Sequence, residues 1–186
     1  MTEPRISPGG RREVGLPVWT LIRVGSRLAG TAPPNLFLTL ARHRRLFRGW
    51  LRFAACLMPR GRLPRRTTEL VILRVAHRRR CGYEFDHHVR IGRRAGVDAR
   101  DLERVTEGTG WEDLAPGERA ALEAADALLD HRDLDDAAWA ALAAHFDEPQ
   151  RIELCLLVGH YDMLATTIRT LRIAPDPKEG GPPPTD

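Results

Sequence analysis

Residues 66–95 read RTTELVILRVAHRRRCGYEFDHHVRIGRRA, and this stretch limits what the chain can fold into more than any other. Its first half is an apolar run, Leu70, Val71, Ile72, Leu73, Val75 and Ala76, with Glu69 at its entry. Its second half sets Cys81, Glu84 and His88 at i, i+3 and i+7, so on one helix they fall within an arc of about 60°. Glu69 stands twelve residues before Cys81, and on a single straight helix it would point about 120° away from the thiol. A break near Arg80-Cys81-Gly82, with Gly82 supplying the freedom, lets the first helix fold beside the second and brings Glu69 back. No stretch of the chain alternates with period 2 for long, so the pattern predicts an all-α fold.

The other elements follow from periodicity and punctuation. Val18 to Ala29 is predicted as a short amphipathic helix, broken by Pro33-Pro34. Asn35 is read as the cap of a helix from Leu36 through His43. Arg45 to Leu57 carries Leu46, Phe47, Trp50, Leu51, Phe53 and Ala54 close to helical period. Pro59, Gly61 and Pro64 make a loop before the central helix, which has Thr67 or Thr68 near its start. Gly96 ends the helix after Cys81. Asp98 caps a short helix with Leu102 and Val105, and Gly108 to Asp113 is a loop. Pro116 opens a helix to about His131, Asp135 caps another through Phe146, and Pro149 opens the last. That last helix holds Leu154-Cys155-Leu156-Leu157-Val158, a run that suggests burial or a subunit interface. Residues 1–15, with Pro4, Pro8, Gly9 and Gly10, read as a disordered tail, and residues 174–186 as a Pro/Gly-rich disordered tail. Residues 16–173 are expected to form one helical domain.

Several side chains can carry chemistry. A carboxylate inside an apolar helical run is costly unless paired, which singles out Glu69. Glu84 and His88, at i and i+4, can form a surface ion pair or a proton relay. Cys81 is expected at a helix start beside Arg78, Arg79 and Arg80, a setting that favours thiolate and predicts the most acidic of the three cysteines. Tyr83, His160 and Tyr161 are candidate pocket residues; the last two interrupt a buried helix, and their polar atoms need partners. His87 adjoins His88 but points about 100° away, and adjacent histidines on one helix do not readily converge on one metal ion. No metal and no cofactor is therefore expected.

Glu69, eleven intervening residues, Cys81, six more and His88 resemble the carboxymuconolactone decarboxylase family, in its alkylhydroperoxidase D-like branch. The segments LMPRGRLPRRTTELVILRVA and ELCLLVGHYDMLATTIRTL carry the likeness further along the chain. The peroxidase branch has Cys-x-x-Cys where this chain has Cys81 and Glu84. The decarboxylase branch has Glu-x-x-x-His at Glu84 and His88. The resemblance implies an alkylhydroperoxidase D-like helical domain of about seven to eight helices and a homo-oligomer, a trimer or a multiple of one. It implies a thiol-dependent peroxidase of the peroxiredoxin type, an antioxidant oxidoreductase, in which Glu69 and His88 deprotonate Cys81 and an external thiol reductant completes the cycle. On that reading Glu84 is dispensable for the first step. The alternatives are a cofactor-free lyase, with Glu84 and His88 handling protons while an arginine holds a carboxylated lactone, and a non-catalytic helical assembly module.

Composition excludes little. At 186 residues, 42% hydrophobic and 29% charged, the chain suits a globular domain with a real core. The net charge of +4 is almost all arginine, Lys178 being the only lysine. Basic stretches such as Arg42-His43-Arg44-Arg45 are offset by acidic ones such as Asp133 to Asp136, and no nucleic-acid motif appears. No apolar run approaches the roughly 18 residues that span a bilayer, and the Arg11-Arg12 pair lacks an uninterrupted apolar segment after it. A small-molecule substrate, no membrane partner and a cytoplasmic location are expected. Cys56, Cys81 and Cys155, odd in number and far apart, argue against a disulfide framework.

Overall fold

The computed structural model describes residues 3–28 and 33–176. They hold ten α-helices, and no strand occurs among the described residues. Eight of the ten have at least eight residues. The chain divides into two compact units, residues 1–56 with 168–186, and residues 57–167.

The first unit contains α1 (Arg11–Val14), α2 (Leu16–Leu28), α3 (Asn35–Leu40) and most of α4 (Arg44–Leu57). Its core is Val14, Ile22, Ala41 and Phe47, with Phe37 and Trp50 edge-on at 5.6 Å. The expected N-terminal tail is held from Arg5 onward, where Arg5 N–H donates to the Leu171 carbonyl at 3.0 Å. Gly9 donates to the Leu38 carbonyl at 3.2 Å, and the Arg44 guanidinium donates to the Arg12 and Glu13 carbonyls, each at 3.0 Å. Backbone carbonyls with no helical partner thus find one in a side chain. Asn35 is not a cap: Pro34 takes that position, and the Asn35 amide donates to the Ala174 and Pro175 carbonyls. Ala174 to Asp176, expected to belong to the C-terminal tail, are instead held by contacts with Asn35, and the remainder of that tail, 177–186, lies outside the described residues.

In the second unit α5 (Arg65–Arg78) is the axis. Ten consecutive residues, Thr67 to Ala76, are buried, so no face of its middle reaches water. Packed against it are α6 (Gly82–Arg94), α7 (Ala99–Glu107) and α8 (Pro116–His131), and α8 in turn carries α9 (Asp136–Ala143). The last helix, α10 (Glu148–Leu171), contributes Leu154, Leu157, Val158 and Tyr161 to the same core as Val71, Ile72 and Val75. A 3-10 turn, Trp111–Asp113, lies in the expected loop.

The caps explain the boundaries. Asp98 and Asp101 form a capping box at the start of α7, Asp135 accepts from Ala138 N–H at α9, and Pro116 opens α8. The break between α5 and α6 falls where expected, but Gly82 does not make it. Arg80 takes the left-handed conformation, φ 52°, while Cys81 N–H donates to the Ala76 carbonyl and Arg80 N–H to the His77 carbonyl, both at 2.9 Å. These are the two bonds of a Schellman ending, stable enough to hold an arginine where glycine is usual. Gly96, φ 88°, ends α6 in the same way.

Candidate functional site

The Schellman ending turns the chain so that Cys81 precedes the first turn of α6 and α6 runs back along α5. Gly92 permits the close approach: a Cβ there would lie 3.6 Å from the Glu69 Cβ and 3.3 Å from Val97. Glu69, twelve residues from Cys81 in sequence, is thereby set against α6. Its side chain is wholly buried, with His88 Nδ1 at 2.8 Å from Oε2 and Arg65 Nη2 at 2.9 Å from Oε1. An ionised carboxylate only accepts, so Nδ1 carries the hydrogen of this contact.

Glu84 lies one turn into α6 on the same face, and it is also buried. Loss of water around it pushes its carboxyl up to about 8, opposed by a hydrogen bond from the Cys81 thiol. Neither of its oxygens takes a well-aligned hydrogen bond, so the thiol is a neighbour able to donate, not a firmly seated partner. Cys81 itself is 2% exposed.

From α10, Tyr161 places its ring edge-on to His88 at 5.2 Å, with its hydroxyl 3.9 Å from Met58 Sδ. Burial raises its phenol well above the usual range, and the charges of Glu69 and Glu84 raise it further, while Arg65 opposes them. His160 stacks edge-on to Tyr161 at 5.2 Å, and burial lowers its imidazole to about 4. Glu69, Glu84, His88 and Tyr161 thus share one buried region, with Cys81 at its edge. Tyr83, half-buried, points to a neighbouring face of α6, and the His87 ring lies edge-on to His88 at 5.6 Å.

Two expectations change. Arg78 and Arg79 do not lend their charge freely to the thiol: Arg78 is paired with Asp126 and Asp130, and Arg79 with Asp162. Arg65 and Met58 were not anticipated. Arg65 was accessible in principle, standing four residues before Glu69, the spacing of a helical ion pair; nothing local signals Met58. Among the described residues no group of three or more His, Cys, Asp or Glu is arranged to hold a metal ion. No described helix is long and apolar enough to cross a membrane.

The family model that matches this chain is that of the carboxymuconolactone decarboxylase family, over residues 44–127. Over that span, somewhat under half of the chain, the sequence is similar to that family. All four residues of the buried thiol, carboxylate and histidine set fall inside the family segment. Among solved structures, an alkylhydroperoxidase AhpD core protein, a peroxidase-related protein from Ralstonia eutropha, is similar over 96% of both chains, at TM-score 0.79 and 21% identity. A peroxidase-related protein from Silicibacter sp. covers 97% of this chain and 98% of its own, at TM-score 0.80 and 16% identity. The debrominase Bmp8 covers 92% of this chain and 91% of its own, at TM-score 0.74 and 19% identity. At such identities the likeness establishes the fold alone, all-α and AhpD-like. No match was found among curated proteins.

Proposed function

We propose that this protein is a single-cysteine, thiol-dependent peroxidase acting through Cys81. The observation that carries the reading is the buried thiol beside Glu84, a carboxyl pushed up to about 8. A carboxylate whose proton affinity burial has raised is a stronger base than an ordinary one, which suits it to take the proton of an adjacent thiol. Glu84 rather than His88 is then the group that activates the thiol, which reverses the sequence-based expectation that Glu84 is dispensable. The thiolate attacks a hydroperoxide: a sulfur–oxygen bond forms, the oxygen–oxygen bond breaks, and the alcohol leaves with the proton Glu84 received. Glu69 and His88 extend the proton path, and Tyr161 closes it against water.

The resulting sulfenic acid has no cysteine one turn along α6 to condense with. A low-molecular-weight thiol forms a mixed disulfide with release of water. A second then releases Cys81 as thiol, leaving the oxidised small disulfide. A homo-oligomer is part of this reading, though Leu154, Leu157 and Val158 belong to the chain's own core and leave Ile152, Leu156 and Met163 as the exposed apolar residues of α10.

Peroxide consumption by the purified protein with a small thiol tests this. Turnover is expected in the parent, none in Cys81→Ser, and a loss on the order of 10²-fold in the oxidation step for Glu84→Gln. Glu84 also suits a second reading, since a carboxyl held near neutral pH can return a proton to a carbanion in a lyase reaction on a small carboxylated lactone. In that case Cys81→Ser keeps turnover while Glu84→Gln loses it. A protein inert in both assays is a non-catalytic module.

A further inference from the structure

Glu69 is a fully buried carboxylate that touches two cationic or potentially cationic groups, Arg65 on its own helix and His88 on α6. A buried carboxylate needs one compensating positive charge. If Arg65 supplies it, His88 has no need to be an imidazolium. The contact with Arg65 is of the kind that acts by charge. Nη2 lies 2.9 Å from Oε1, yet Oε1 takes no well-aligned hydrogen bond, and the Arg65 side chain is 41% exposed, at the solvent edge of the site. Its field reaches beyond Glu69, because it also opposes the upward push on the Tyr161 phenol.

We infer that Arg65 is a positioning residue whose charge balances Glu69 and so leaves His88 neutral, with its hydrogen on Nδ1 and its lone pair on Nε2. The other groups around the pair do not do this work. Glu84, on α6, adds no positive charge; Tyr161, on α10, is a neutral phenol at neutral pH; His160 beside it is neutral, since burial lowers it to about 4; and Cys81 is either neutral or anionic. His87, half-buried on α6, lies 3.3 Å by its Nδ1 from Arg90 Nη2, and its ring stands edge-on to that of His88 at 5.6 Å. Without Arg65, among the described residues His88 is the group left in contact with Glu69 that can carry the balancing charge, and the proton moves onto it.

The place of His88 in the proton path rests on the peroxidase reading above, but its charge state does not, and the test is read without turnover. Long-range nitrogen–proton NMR on the full chain distinguishes imidazolium from each neutral tautomer, with His88→Asn assigning the signals. The parent at pH 7.5 is expected to show His88 neutral with hydrogen on Nδ1. Arg65→Met is expected to raise the imidazolium fraction of His88 at pH 7.5, as loss of the charge that balances Glu69 requires. Arg65→Lys restores the charge without the guanidinium fork and is expected to return that fraction to the parent's. A purely structural role for Arg65 would move melting temperature and leave the tautomer and the imidazolium fraction alone. An imidazolium in the parent at pH 7.5 overturns the inference from one spectrum, with no variant needed. So does an Arg65→Met, or its polar substitute Arg65→Gln, whose imidazolium fraction equals the parent's. Should the parent prove unreactive toward peroxide while Arg65→Met shifts as expected, the peroxidase reading fails and this one stands.

Discussion

Glu69 on α5 and Glu84 on α6 are both buried acids within one small region, and the protein treats them in opposite ways. Glu69 is given a cation on one oxygen and a histidine N–H on the other. Glu84 is given only a weak donor, the Cys81 thiol, and burial drives its carboxyl up to about 8. The difference is one of position. Glu69 has Arg65 four residues earlier on the same helix face, whereas the residue four before Glu84 is Arg80, which lies beyond the helix break in the left-handed conformation. Compensation fixes a charge and an orientation; its absence leaves a group whose proton is free to move near neutral pH. The first suits a scaffold for His88, the second a proton carrier beside a thiol.

The largest consequence is a stability that depends on pH through Glu84. Below its unfolded value of 4.5 the acid is protonated in both states. Between there and about 8 the unfolded chain loses a proton that the folded chain retains. Stability therefore falls as pH rises across that window, with a total on the order of 4 to 5 kcal/mol. Above it the loss is complete. Urea unfolding at pH 5 and pH 8.5 should show this decline, and Glu84→Gln should remove most of it, so that the variant is the more stable protein at the higher pH. A parent and variant that follow parallel curves would mean that Glu84 is not buried as an acid, and the contrast with Glu69 would collapse.

Glu69→Gln should behave differently. It keeps the shape but leaves Arg65 without its partner and the His88 ring without an anionic acceptor, a loss of about 1 to 3 kcal/mol at neutral pH. The decline between pH 5 and 8.5 should survive in this variant, because Glu84 still causes it. If Glu69→Gln also flattens the curve, the two acids share one proton and must be treated as a pair.

The smallest effect concerns the packing that sets both acids side by side. At Gly92 an alanine gains about 1 kcal/mol of helix propensity. Its methyl would crowd Val97 at 3.3 Å and Glu69 at 3.6 Å, and overpacking of this kind costs about 1 to 3 kcal/mol. A net loss near 1 kcal/mol is expected in chemical denaturation. A stabilised Gly92→Ala would mean that α6 has room to move off α5, and that Glu69 is held by its ion pairs alone.

Much of the fold was legible in the chain. Helical periodicity, Pro116, Asp98, Asp135 and Gly96 mark boundaries by local chemistry, and local chemistry is what a sequence displays. The segment around Gly9 to Val14 was misread, because its stabilising partners, Leu38 and Arg44, are remote in sequence. Asn35 was misread for the same reason: a good capping residue was taken by a better offer from Ala174 and Pro175. The run Leu154 to Val158 suggested burial or a subunit interface, and of it Leu154, Leu157 and Val158 are buried while Leu156 is 47% exposed; the helix whose middle is enclosed on every face is α5. Composition reports how apolar a helix is, while its neighbours decide which faces are covered.

For the site, the sequence by itself determined that Glu84 and His88 share one face of α6, since spacing along one helix fixes angle. It also required a turn near Cys81. Tertiary structure alone decided that Arg80 makes that turn, that Asp126, Asp130 and Asp162 occupy Arg78 and Arg79, and that Glu69 meets both Arg65 and His88 while Glu84 meets a thiol. The reason is physical. The protonation of a buried acid depends on how much water is removed and which charges replace it, and both are set by residues that only packing brings near.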